Sequence, residues 1–180
     1  MKFLAIIYAV IFALVTSPVW PLGPNPLPGD PYIIVNKQTN ELAFYDEEEI
    51  KEIHSVATGK SEELTPEGEF TIIVKAKEPY YRKTDIKGGD PNNPLGTRWI
   101  GFNAEDTDGR TYGVHGTNNP DSIGNYVTQG CIRLSNENVE ALFEKVPIGT
   151  KIWIVKTDKT FEQLGVEKGI IKANKVVGFE

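Results

Sequence analysis

A single stretch of this chain carries the 3.6-residue period of an amphipathic helix, and that scarcity constrains the fold more than any other feature. Val139, Leu142, Phe143 and Val146 recur at i, i+3, i+4 and i+7, Ser135 or Asn136 can cap the start, and Pro147 stops the helix. Elsewhere the apolar residues come in short β-branched or aromatic runs between turn formers. "YIIVNKQTNELAFYD" places two runs around Asn36 to Asn40 and predicts a hairpin starting at Tyr32. "EIKEIHSVATG" continues with an imperfect period of two through Ile50, Ile53 and Val56. "GEFTIIVKAK" (68–77), "RWIGF" (98–102), "TYGVH" (111–115) and "KIWIVK" (151–156) read as further strands. The expected fold is mainly β, a sandwich or barrel-like sheet with short helices. A last strand is expected near Ile170 or Val176.

At 180 residues the chain has room for one domain with a substantial core. It opens with a basic Lys2, an apolar run from Phe3 to Val15 and small residues at Thr16 and Ser17, so residues 1–17 read as a signal peptide or an N-terminal membrane anchor. Residues 18–31 form a Pro-rich linker, because each proline fixes φ and removes a backbone donor. The folded domain is expected over 32–156, with 157–180 a C-terminal extension of unknown role. Within the domain, residues 77–97 make a loop long enough to expect a function.

Both readings of residues 1–17 export the domain, and export changes how the lone cysteine is read. Secreted chains pair their cysteines, so a single Cys131 points to a partner chain or a reactive thiol. The formal net charge of −6 argues against broad attraction to nucleic acid. An anionic ligand would need a local cationic patch, for which Arg82, Lys83, Lys87, Arg98, Arg110 and Arg133 are the candidates.

Cys131 follows Gly130, whose missing side chain lets a carbonyl group approach, and amides around a glycine can converge on an oxyanion. If "CIRL" is extended, Cys131 and Arg133 share a face, where the cation favours thiolate. His115 ends a strand immediately before Gly116 and can serve as the base a thiol needs at neutral pH. His54 has no such setting. Two His and one Cys without ligand spacing build no metal cage, so no metal and no cofactor are expected, and no G-x-S-x-G elbow is present.

"HGTNNPDSIGNYVTQGCIRLSNENV" resembles the active-site signature of the YkuD-type L,D-transpeptidases, bacterial enzymes that cross-link peptidoglycan. His115 fills the histidine position. Thr128, Gly130 and Cys131 fill the Ser/Thr-x-Gly-Cys segment, and Ile132 and Arg133 fill the apolar and arginine positions after it. "TPEGEFTI" (65–72), "NPLGTRWIGF" (93–102) and "VPIGTKIWI" (146–154) extend the resemblance across most of the domain. Many members carry a second histidine where this chain has Gln129, which cannot titrate.

The resemblance implies an L,D-transpeptidase catalytic fold and a cysteine-dependent acyl transfer in the cell envelope. Cys131 would attack a tetrapeptide stem at diaminopimelate, release D-Ala and leave a thioester; an amine of a neighbouring stem would resolve it to a 3→3 cross-link. His115 would be the base, oriented by the Gly116 carbonyl, with amides of Gly130 and Cys131 holding the oxyanion. Arg133 would bind a stem carboxylate or make a structural ion pair. A carbapenem would be the expected covalent inhibitor. Two rivals share the sequence: an L,D-carboxypeptidase resolving the same thioester with water, and a non-catalytic wall-binding domain.

Overall fold

A computed structural model describes residues 28–173. The expected hairpin is present as β1 (Tyr32–Asn36) and β2 (Glu41–Asp46), and β3 (Glu49–Ser55) continues it antiparallel. After the short β4 (Thr58–Gly59), β5 (Gly68–Lys77), β6 (Arg98–Phe102) and β7 (Tyr112–His115) make a second antiparallel set. Then come β8 (Tyr126–Thr128), β9 (Ile132–Arg133), α1 (Asn136–Lys145), β10 (Lys151–Val155) and α2 (Phe161–Glu167).

The eight-stranded sheet has the order β3-β2-β1-β10-β5-β6-β7-β9. β10, late in sequence, inserts parallel to β1 and antiparallel to β5, and so welds the two antiparallel sets together. Register shifts at Phe44/Tyr45 and between Ile72 and Val74 bend the ladder, and the sheet curls into a half-barrel. β4 and β8 pair in parallel as a separate small ribbon.

β1 reads as an unbroken apolar run because both of its faces are covered. Ile33 and Val35 join Leu42, Phe44, Ile72, Ile100, Phe102, Val114, Ile132 and Ile152 in the inner core, which α1 closes with Val139, Leu142 and Phe143. Tyr32 and Ile34 point the other way, against Ala43, Tyr45, Phe161, Leu164, Ile170 and Ile171. α1 starts where expected: Ser135 Oγ accepts the Asn138 amide at 3.2 Å. Its last turn meets the ammonium of Lys75, which donates to the carbonyls of Phe143 and Val146.

The region after β10 corrects the sequence expectation. Ile170 is not in a strand; it lies in the turn after α2, buried against the outer face of the sheet. Val176 lies outside the described residues. α2 spans only seven residues and carries an internal Gly165, so it shows no helical period in sequence. Its start is set by a capping box between Thr160 and Gln163. Gly165 has a packing reason, since a Cβ there would sit 2.9 Å from the Tyr45 ring.

Candidate active site

The two reactive side chains come from the last two strands of the sheet. β7 and β9 run parallel in the register Val114↔Ile132 and His115↔Arg133. Val114 and Ile132 turn into the inner core, so alternation puts His115, Arg133 and Cys131 together on the opposite face. Cys131 thus lies beside Gly113 and one diagonal step from His115. The thiol is partly exposed, and its hydrogen-bond partner is the Thr111 carbonyl at 3.4 Å. Among the described residues, no hydrogen bond joins the sulfur to the imidazole in this resting arrangement.

His115 is only 4% exposed, and its ring stacks on Trp99 at 5.4 Å between centroids and 17° between planes. Nδ1 lies 2.6 Å from the Gly116 carbonyl oxygen, which can only accept, so Nδ1 carries the proton and Nε2 keeps its lone pair. Burial pushes the imidazole pKa down to about 4; the carbonyls of Gly116 and Leu95 favour the protonated ring, and the Arg133 cation opposes it. Burial also pushes the Cys131 thiol up, with the Gly113 amide, Lys83 and Arg133 pulling against it. The resting pair at neutral pH is therefore thiol and neutral imidazole.

The chain leading into Cys131 is built around two threonines. Thr128 Oγ1 donates to the Cys131 carbonyl at 2.6 Å and accepts the Gly130 amide at 3.1 Å, closing a tight turn. Fully buried Thr65 donates to the Gly130 carbonyl at 3.1 Å and accepts the Gly59 amide at 2.9 Å. Gly130 has a φ of +128°, and a Cβ there would lie 2.4 Å from the Leu64 carbonyl. Its missing side chain thus makes room for the protein's own backbone. The Gly130 N–H, expected to face an oxyanion, is already engaged by Thr128.

Asn136, at the first turn of α1, reads in sequence only as an alternative cap; Ser135 takes that place. The Asn136 Oδ1 accepts the amides of both Thr97 and Thr117 at 3.2 Å. A Cβ on either Gly96 or Gly116 would come within 2.2 Å of that oxygen. One side-chain amide thereby pins the loop before β6 to the peptide just beyond His115. Trp99 is set similarly: its Nε1 donates to the Gly109 carbonyl at 2.8 Å, and a Cβ on Gly113 would meet its ring at 2.6 Å.

A pocket of about 360 Å³ opens over Cys131, lined among others by Trp99, Leu95, Tyr80, Tyr81 and Thr111. Of the six candidate cations, Arg82, Lys83 and Arg110 line it. Arg133 stands beside Cys131 and makes no ion pair among the described residues, with its Nε buried and unpartnered. Arg98 instead lies over the Phe143 ring at 5.5 Å, and Lys87 does not line the pocket. His54 sits on β3 with Glu52 at 3.0 Å. The described residues contain no cluster of three His, Cys, Asp or Glu able to hold a metal.

Residues 30–154 match the YkuD family model, an L,D-transpeptidase catalytic domain. YqjB of Bacillus subtilis strain 168, which carries the name of an L,D-transpeptidase, is 54% identical over 167 residues, covering 92% of this chain and 94% of that one. An L,D-transpeptidase from Mycobacterium smegmatis superposes with a TM-score of 0.56 at 22% identity, over 70% of this chain and 58% of that one. L,D-transpeptidase 3 from Mycobacterium tuberculosis, in complex with a faropenem-derived adduct, gives 0.57 at 17% identity, over 71% and 61%. The chain thus spans about three-fifths of these solved proteins and shares their fold.

Proposed function

The chain belongs to the YkuD family of L,D-transpeptidase catalytic domains, and from that premise we propose that it is a cysteine-dependent acyltransferase forming 3→3 cross-links in peptidoglycan. The observation that carries this reading is a partly exposed Cys131 in the lining of a pocket, on the same sheet face as a buried, neutral His115. A binding module has no use for that pairing.

Cys131 Sγ attacks the carbonyl of diaminopimelate in a donor tetrapeptide. The S–C bond forms first, giving a tetrahedral oxyanion, and the bond to the D-Ala nitrogen breaks as that intermediate collapses. His115 Nε2 takes the thiol proton in the first step and delivers it to the departing D-Ala amine in the second; the neutral resting pair means that proton transfer accompanies S–C bond formation. An amine of a second stem then attacks the thioester, and the thiol regains its proton. The Gly116 carbonyl keeps the proton on Nδ1 throughout. The oxyanion falls to the amides of the Gly130–Cys131 turn, of which the Gly130 N–H must first leave Thr128 Oγ1; losing such a donor costs about 3 kcal/mol of transition-state stabilisation. Arg133, with no ion pair among the described residues, is available to a stem carboxylate. Residues 1–17 would deliver the domain to the cell envelope.

The test is incubation with tetrapeptide stems and mass spectrometry of the products. Free D-Ala and a cross-linked dimer are expected, and tripeptide without dimer would make the protein a carboxypeptidase. Cys131→Ala should abolish both products, and retained activity would remove the mechanism. Exposure to a carbapenem should add one inhibitor mass at Cys131 by opening of the lactam ring; no adduct with any carbapenem would favour a binding role.

A further inference from the structure

The loop between β5 and β6 is ordered by its own bonds. The amides and carbonyls of Tyr81 and Ile86 pair at 2.9 and 3.1 Å, and buried Asn93 donates to the carbonyls of Pro79 and Lys87. Its Tyr80, Tyr81, Arg82 and Lys83 form one lip of the thiol pocket, and Arg110 reaches that pocket from the segment before β7.

Charge is distributed unevenly around this opening. The chain has 25 Asp and Glu against 19 Lys and Arg, yet among the described residues no carboxylate lines the pocket. The nearby acids stand outside that lining: Asp108 bonds Arg110 at 2.9 Å and also feels Arg82, Asp85 accepts from the Tyr80 hydroxyl at 2.5 Å, and Glu105 accepts from the Tyr112 hydroxyl at 2.6 Å. Arg82 and Lys83 make no ion pair among the described residues, so two cations without a carboxylate in contact stand on this loop at the mouth, Arg82 within the longer-range field of Asp108. Lys83 is close enough for its field to reach the sulfur. Exposed paired cations contribute little, but unpaired ones around a concave, low-dielectric mouth concentrate anions there.

We propose that Arg82 and Lys83 form a carboxylate-binding lip that selects donors bearing free carboxylates over their amidated counterparts. The peptide part of this assignment rests on the transferase reading above; the electrostatic part does not. The lip would draw an anionic group to the mouth and leave the neutral portion of the donor against Trp99 and Leu95.

Two measurements on the full chain separate the parts. The first compares alkylation of Cys131 by iodoacetate and by iodoacetamide, reagents of similar size that differ in charge. In the Arg82→Gln/Lys83→Gln double variant the iodoacetate-to-iodoacetamide rate ratio should fall three- to tenfold. Added salt should shrink the wild-type ratio toward the variant's. Arg82→Lys should keep the wild-type ratio, and so should Lys60→Gln, which removes a cation from a separate cleft. An unchanged ratio in a double variant with a wild-type circular dichroism spectrum overturns the lip. The second compares D-Ala release from a free-carboxylate tetrapeptide and its amidated form: the double variant should raise KM three- to tenfold for the free form only, at constant kcat. Equal KM for both forms in the wild type overturns the selectivity. If the wild type releases D-Ala from neither, the transferase reading fails, while the alkylation ratio still decides the lip.

Discussion

His115 is held neutral by burial, and that has a cost that can be read in acid. Its pKa in the folded protein, about 4, lies below the ordinary value of 6.5, so between those values the unfolded chain binds a proton that the folded one does not. Stability contributed by the neutral ring is complete above pH 6.5 and is lost as pH falls to 4, a change of about 3 kcal/mol. Denaturation midpoints across that window should fall more steeply for the wild type than for His115→Gln, and equal slopes would refute the assignment. Asn136 invites a different comparison. Asn136→Ala strands the amides of Thr97 and Thr117 and should cost about 1–3 kcal/mol, whereas Asn136→Asp retains both acceptor bonds. If the residue positions His115 through Gly116, Asn136→Ala should lower kcat more than it raises KM, and Asp should rescue kcat; matched losses in the two variants would sink that role. Cys131 and His115 are legible in sequence because their chemistry is scarce in this chain. The bonds by which Thr65 reaches Gly130 and Asn136 reaches Thr97 and Thr117 are not legible there, because they span 19 to 65 residues and nothing local marks them.

Strands are the legible elements, and the reason is visible in β10 and β5: "KIWIVK" and "GEFTIIVKAK" alternate or branch at β enough to be recognised alone. α1 is legible because its cap, period and stop agree. α2 is not, since seven residues complete only two turns and their apolar side chains make sense only against the outer face of β1 and β2. Phe161 is the clearest probe of that contact: its ring is buried there and its carbonyl accepts the Tyr45 hydroxyl at 2.7 Å. Phe161→Ala should destabilise the protein by about 3–5 kcal/mol in chemical denaturation. A loss below 1 kcal/mol would mean that residues 161–171 are an appendage and not part of the core.

At the scale of the molecule, the sheet is two antiparallel sets joined through one strand, and the site hangs on the second of them. A chain ending at residue 148 lacks β10 and leaves β1 and β5 each with an unpaired edge. Such a chain should show no cooperative thermal transition by circular dichroism; a sharp melt would show that either set folds alone. Sequence suggests a sandwich or barrel-like sheet but cannot supply this order, because a parallel partner 119 residues away leaves no local trace.

The strand pairing that sets His115 beside Cys131 lies within β7 and β9, while the pairing that ties this half of the sheet to β1, β2 and β3 runs through β10. A fault in that one strand would therefore cut the reactive pair off from half of its scaffold without parting the two side chains from each other.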